Sequence, residues 1–479
     1  MVIFFISSNP YLCMEISIYR EIIEYLRKII KDTEWEDKVF SVGGCVRDLL
    51  LKKEIKDIDL VVEVPEGGLK FTEWLKKNSF LKGDPVLYPN YGTSMFRLND
   101  YPEYPIEAVC TRKERYPDPK TRNPETAFGT LRDDCFRRDL TINALYHNIS
   151  TDKIIDLAHG ISDMKNKILR TTDEPEIIFE DDPLRILRII RFWGKLGTDW
   201  RMTGEIIEGM RKLRKRLTIL SKERVCSELL QILCTDEASR CLSYMANIEI
   251  LSVILPQIDL LRGCKQGPQH FGDVFMHTLA VIDKVPKRID LRLAALLHDS
   301  GKPNCMTLKD GVPKFYRHEI CSKEVAKEVM QNLKLPIELQ RKVEFLVENH
   351  MLFKQCGDNA ERLKLKKLRS YINTWGEEYT YDLLELIDAD NKSHSKEFCL
   401  PDQISRIKKI IEEEKFWFTY KLPITGKDIM EVKEIKPGPL IKRYKKYLLL
   451  YAFSHPSRSS KEDLLEELSH VKNNNLPNL

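Results

Sequence analysis

The chain has 479 residues, 42% hydrophobic and 31% charged, with a formal net charge of +4. That length exceeds one ordinary domain, so roughly two to four are expected, and the composition excludes a mainly disordered or fibrous protein. The near-balance of charge does not announce a nucleic-acid partner, and any such partner has to be read from local clustering of basic residues. The twelve cysteines include no CxxC pair, which argues against a disulfide framework or a zinc knuckle and for a reducing compartment. No run approaches the length of a membrane span, and the opening MVIFFISS lacks the basic start of a secretory signal, so a cytoplasmic protein is expected. Met14 is an equally plausible translation start, and the first fourteen residues carry no assigned role.

The first clear amphipathic helix spans Ile16 to Ile30. Residues 37–157 then mix short β-rich runs (Lys38–Val42, Ile58–Val64) with punctuation at Pro65–Gly68 and Pro117–Pro124, an α+β pattern. From Ile161 onward apolar residues recur at spacings of three and four, through Leu184–Leu196, Val225–Leu233, Leu279–Val285, Leu291–His298 and Val343–Val347, so the rest is expected to be helical. Breaks at Gly263–Pro268, at Gly301–Pro313 and before Pro401 mark loops or boundaries.

Val39–Val42 reads as a strand, Gly43-Gly44 as a tight turn, and Val46–Leu51 as a helix whose first N–H groups face an anion, with Arg47 suited to triphosphate oxygens. Thirteen residues after Gly44, Asp57 and Asp59 alternate on a second strand and so share one face, where they can hold two Mg²⁺ ions roughly 3.5–4 Å apart. Glu107, in the strand-like run Ile106–Thr111, is the candidate third carboxylate. The competing reading of the aspartates is a charged edge strand, which their apolar flanks weaken. Arg137-Arg138-Asp139 can grip a triphosphate and accept from a ribose hydroxyl, or form a charged turn. Asp182-Pro183 opens a helix with aspartate as N-cap, Arg185, Arg188 and Arg191 drifting along one flank and Leu187 and Ile190 facing the core.

Taken in order, GGCVRD, DIDLVVE, RRDLTINALY and DDPLRILRIIRF resemble the signature of tRNA nucleotidyltransferases of the CCA-adding type and of bacterial poly(A) polymerases. The likeness is close over residues 37–195 and continues through Ser221-Lys222-Glu223-Arg224 to LPITGKDIM and IKPGP at Leu422–Pro439. It implies template-independent addition of C, C and A to tRNA 3′ ends from CTP and ATP, with Mg²⁺ in the head. It also implies that Asp182 and Arg185 present hydrogen bonds to the incoming base. A carboxylate accepts from the exocyclic amine shared by C and A, while arginine donates to ring acceptors. Asp181 stands where the family has glutamate. By the same resemblance Arg138, Arg188 and Arg191 contact the nucleotide and Gly44 and Arg47 its phosphates, and Pro65–Tyr88 includes a flexible loop needed for the final A. A poly(A) polymerase, or an enzyme adding only CC or only A, is the alternative.

Five of the ten histidines fall between His270 and His350, and one forms the pair His298-Asp299 in LLHDSGK. Imidazole and carboxylate together suit a divalent transition metal that activates water. The order resembles the HD phosphohydrolase domain, which implies His277, His298, Asp299 and Asp390 as the minimal metal set, Asp388 as a competitor for the last position, and His318 and His350 as ligands of a second ion. Structural hydrogen bonding between helices is the alternative, and an HD phosphohydrolase with a degenerate head is the rival function, as is a non-catalytic tRNA-binding protein.

Arg201–Arg224 contains eight basic and three acidic residues, densest at Arg211, Lys212, Arg214, Lys215 and Arg216. A second cluster, Lys442, Arg443, Lys445 and Lys446, interleaves with Tyr444 and Tyr447, and a third spans Arg362–Arg369. Each can follow the phosphates of a tRNA acceptor arm or form a solvated helix face. The expected architecture is an α+β nucleotidyltransferase head with a small mixed sheet (37–157), then an all-α neck (158–265), an HD body (266–400) and a helical tail (401–479).

Overall fold

The computed structural model describes residues 10–117, 124–267, 272–353, 364–395, 397–399, 402–473 and 476–477, with side chains from residue 18 onward. Residues 1–9, Pro268, His270, Arg362 and Pro401 lie outside the described residues. The chain forms two compact units that divide between Ile254 and Leu255.

In the first unit the opening helix runs Pro10–Ile30, longer than its periodicity predicts, and buries Tyr19, Ile22, Ile23, Leu26 and Ile30. Among the described residues up to Asp156, nine strands follow: β1 (Val39–Val42), β2 (Ile58–Val62), β3 (Val86–Tyr88), β4 (Thr93–Leu98), β5 (Tyr101–Cys110), β6 (Arg112–Arg115), β7 (Glu125–Phe128), β8 (Leu145–Asn148) and β9 (Ile154–Asp156). Seven of them form one sheet in the order β3-β4-β5-β2-β1-β8-β9, while β6 and β7 pair as a separate hairpin. The sheet is mixed, as the sequence predicts: β1 is antiparallel to β2 and β8, and β2 is parallel to β5. A core of Phe40, Val42, Val61, Leu131, Cys135, Ala144 and Tyr146 lies under part of one face, joining β1, β2 and β8 to the helix Leu131–Phe136.

Within Pro65–Tyr88, Gly67–Lys77 is a helix that buries Phe71 and Leu75 and β3 closes the segment, so a loop there is confined to the residues between them. Gly67-Gly68, read as punctuation, is instead a site of close approach. A Cβ on Gly68 would stand 2.5 Å from the Ala108 carbonyl oxygen, so only glycine lets this helix lie on β5. The part after Ile161 is not purely helical, because Ile168–Leu169 pairs with Arg201–Met202 and Met306–Lys309 forms a hairpin with Val312–Phe315. That second hairpin turns at Asp310-Gly311, both at positive φ, a two-residue turn signal inside what reads as a break.

The second unit is built on the helices Val274–Lys284, Ile289–Leu297, His318–Asn332, Ile337–Asn349 and Leu365–Asn391, the last broken at Gly376. In the tail, Thr425 and Asp428 of the LPITGKDIM motif form a capping box at the start of the helix Gly426–Lys433, which gives that motif a local structural cause.

Candidate active site and metal centre

Gly43 adopts φ 78° at the end of β1 and hands the chain to the helix Gly44–Leu50. That left-handed conformation favours glycine, and the Arg138 guanidinium comes close beside it. These residues wall a cleft of about 670 Å³, with Asp57 and Asp59, Arg137–Asp139, and Asp182, Arg185, Arg188 and Arg191. Asp59 is the Cα partner of Glu107 across the parallel β2–β5 pair, so both side chains rise from one face about 5 Å apart. Glu107 stands beside the cleft and is not part of its lining. Burial, then the Glu107 carboxylate, push the Asp59 carboxyl up to about 6, and burial with Asp57 raises Glu107. The three carboxylates therefore repel one another, a donor set that a divalent cation relieves.

The basic residues are pre-positioned by buried acids. Arg47 donates to Asn143 Oδ1 at 2.6 Å and to both Asp48 oxygens at 2.9 and 2.8 Å. Asn143 and Arg188 in turn donate to Asp139, at 3.0 and 2.8 Å. Arg137 and Arg138 both hold the fully buried Asp134, and Arg138 lies over the Tyr146 ring. Arg191 donates to Glu228 at 2.7 Å. The expected N-cap is corrected: the helix starts at Leu184, with Pro183 as its cap residue, because Asp182 is extended and ends the preceding helix Pro175–Asp181. Its carboxylate still accepts from the Leu184 N–H at 3.1 Å. Leu187 and Ile190 face the core as expected.

Sequence reading missed the contribution of the β6–β7 hairpin, which brings Arg112, Glu114 and Tyr116 to the cleft, and also missed Lys56 and Lys195, while Arg224, read as part of a basic cluster, lines the cleft instead. Glu114 accepts from Arg112 at 2.9 Å and Tyr116 at 2.8 Å, and its carboxylate lies 3.6 Å from Arg185. The charged run RKER has no apolar alternation to signal a strand, although its facing charges on Arg112 and Glu114 could have suggested a buried pair.

In the second unit, His277, His298 and Asp390 form one buried group of metal-ligating side chains, and Asp299, His318 and His350 form another. His277 Nε2 lies 3.1 Å from Asp390 and 3.7 Å from Asp299, so the four residues of the minimal set come together. His298, His318 and His350 each donate Nδ1–H to a backbone carbonyl three residues earlier, at 2.8, 3.0 and 2.7 Å, which turns Nε2 inward. Asp388, the competitor, instead pairs with Lys392 at 2.6 Å. Lys302, which the sequence did not single out, lies 2.7 Å from Asp299 and is buried.

The basic clusters are less uniform than their sequence. Arg211, Lys212 and Arg214 pair with Glu208, Glu176 and Glu249, Arg216 donates to the Glu180 carbonyl, and Lys215 is exposed. Lys442, Lys445 and Lys446 are exposed, but Arg443 donates to the carbonyls of Leu476 and Pro477. Tyr444 is buried, with its hydroxyl on Asn473, and Tyr447 donates to Glu467. Arg369 is a structural residue, held by both oxygens of Glu414 at 2.6 Å.

Residues 39–170 match the family described as Poly A polymerase head domain, 201–261 that described as Probable RNA and SrmB- binding site of polymerase A, and 269–391 the HD domain. The multifunctional CCA protein of Aromatoleum aromaticum is 32% identical over 336 residues, spanning 67% of this chain and 76% of the relative. That of Pseudomonas fluorescens is 31% identical over 351 residues, spanning 71% and 80%. Among solved structures, the Bacillus stearothermophilus CCA-adding enzyme in complex with CTP aligns with a TM-score of 0.66 at 18% identity, covering 94% of this chain and 96% of that one. The Thermotoga maritima CCA-adding enzyme complexed with tRNA(CCA) aligns with a TM-score of 0.61 at 21% identity, covering 98% and 99%. The fold is thus a nucleotidyltransferase head with a helical HD region. The chain belongs to the family of multifunctional CCA proteins.

Proposed function

We propose that this protein adds C, C and A to tRNA 3′ ends, using CTP and ATP and no nucleic-acid template. The observation that carries this reading is the pairing of Asp59 with Glu107 in register, beside a cleft that Asp57, Gly44, Arg47 and Arg138 also line. The family relatives carry the name multifunctional CCA protein, and solved structures of the same fold hold CTP and tRNA(CCA).

In this reading Asp57, Asp59 and Glu107 hold Mg²⁺. The bound ions would lower the pKa of the attacking 3′-hydroxyl and neutralise the departing pyrophosphate. Gly44 and Arg47 take the triphosphate at the helix start, with Arg138, Arg188 and Arg191 around it, and their acidic partners fix each guanidinium before substrate arrives. Asp139, already committed to Arg188 and Asn143, positions these groups and remains near enough to the cleft to meet a ribose hydroxyl. Asp182 accepts from the exocyclic amine of C or A, and Arg185 donates to the ring.

His277, His298, Asp299 and Asp390, with His318 and His350, hold a divalent transition metal and support phosphohydrolase chemistry as a companion activity. The inward-facing Nε2 atoms favour metal over purely structural bonding. The exposed Lys215, Lys442, Lys445 and Lys446, together with Arg211, Lys212, Arg214, Arg216 and Arg443 around them, form the basic ground for tRNA phosphates. The working division is head 37–157, neck 158–265, HD body 266–400 and tail 401–479. No described helix is long and apolar enough to cross a membrane.

The test is incubation of purified protein with tRNA ending before CCA, supplying CTP and ATP separately and together and resolving products one nucleotide at a time. Two additions with CTP and a third only with both nucleotides are expected. ATP-only extension of arbitrary RNA would replace the proposal with poly(A) synthesis.

A further inference from the structure

An in-line displacement puts the attacking 3′-oxygen and the departing pyrophosphate on opposite sides of the α-phosphorus. The triphosphate-binding groups Gly44, Arg47 and Arg138 belong to the β1 and β8 side of Asp59, whereas β5, β4 and β3 continue the sheet on its other side. Across those strands Asp59, Glu107, Met95 and Val86 are successive Cα partners, so their side chains issue from one face of the sheet. Tyr88, two residues beyond Val86, shares that face. Near Asp59 the face dives into the core at Val61, but toward the edge it opens: Met95 is 37% exposed, Val86 50%, Tyr88 42% and Tyr91, in the turn after β3, 75%. Arg97 is exposed beside them, at the β4 bulge. An apolar row on an edge strand is a feature soluble proteins usually blunt, which gives this one a claim to an occupant.

Resting on the nucleotidyl-transfer reading above, we infer that Met95, Val86 and Tyr88 form a stacking platform for the 3′-terminal nucleotides of the RNA acceptor. The row starts at the third carboxylate and reaches Val86 over two strand spacings, about 10 Å, enough for the last nucleotide and the one before it. Its chemistry also suits a growing end. The terminal base changes at each addition, and a stacking surface tolerates every base because each has a π-face, whereas a hydrogen-bonding pocket would have to be rebuilt. Arg97 supplies a charge for a nearby phosphate.

The double variant Met95→Ala/Tyr88→Ala tests this. Its KM for tRNA ending before CCA should rise about tenfold, the loss of one stacked base, while the Kd for CTP without tRNA stays within about twofold. The melting temperature should be unchanged, and Met95→Leu/Tyr88→Phe should restore the KM. In the wild-type protein, tRNA carrying 4-thiouridine as its last nucleotide should photo-crosslink to residues 86–97. A double variant that keeps the wild-type tRNA KM, or crosslinks that fall elsewhere, overturn the platform. So does a wild-type dimer that the variant dissociates without change in tRNA KM, which would make the row a surface between copies. A wild-type protein that leaves tRNA unextended overturns the transfer reading and the platform with it, whereas an active enzyme with an indifferent double variant overturns the platform alone.

Discussion

Glu114 is the residue on which the Arg185 end of the cleft converges. It meets Arg112, Arg137, Arg185 and Tyr116 while almost wholly buried, and although burial alone would raise its carboxyl, the Arg137 and Arg112 guanidinium groups outweigh it and hold it below the usual range. Glu114→Gln removes the charge that holds Arg185, so KM for CTP and ATP should rise about tenfold and UTP should be misincorporated more often, as single-nucleotide extension assays would read. Asp139 offers a second test at this scale. Burial pushes its carboxyl up, but the Arg188 guanidinium and the Asn143 amide bring it down to about 2. A depressed carboxylate contributes stability that is present above its unfolded value near 4 and lost as pH falls through its folded value. Asp139→Asn should therefore cost about 2 kcal/mol at pH 7, and the gap in urea midpoint between variant and wild type should close between about pH 4 and 2.

At the scale of elements, the strand that carries Asp59 and the one that leads into Gly43-Gly44 were legible because an apolar run with acids at its start and a glycine pair leave few alternatives. The β6–β7 hairpin was not, because its strands lie off the main sheet and expose most of their residues, so no hydrophobic alternation marks them. Basic clusters misled for a related reason: a string of charges does not say which members find a buried carboxylate. Arg369, read as part of a phosphate-following patch, is bidentate to Glu414 and donates to the Phe453 carbonyl at 2.7 Å. Arg369→Ala should destabilise the second unit by about 3–5 kcal/mol, seen in thermal melts. Lys445→Ala/Lys446→Ala should leave the melt unchanged while lowering tRNA affinity and flattening its salt dependence.

For the molecule as a whole, each candidate centre lies within one compact unit, the carboxylate cleft in the first and the imidazole cluster in the second. The two centres should therefore respond to mutation separately. Asp59→Ala should lower CTP incorporation by at least about a thousandfold and leave metal binding by the HD cluster intact. His298→Ala should abolish that binding, measured by calorimetry with Ni²⁺ or Co²⁺, and leave CCA addition within about twofold.

From the sequence alone, the α+β head, a mainly helical remainder and the candidate acids Asp57, Asp59 and Glu107 could be read, since strand alternation, glycine turns and residue chemistry are local properties, while the HD set was named through its resemblance to a family. Only the tertiary structure decided that Asp59 faces Glu107, that Asp390 rather than Asp388 joins His277, and that Glu114 underlies Arg185. Those pairings join residues dozens to more than a hundred positions apart, and strand register, helix rotation and the burial of charge against charge are settled only when distant segments pack.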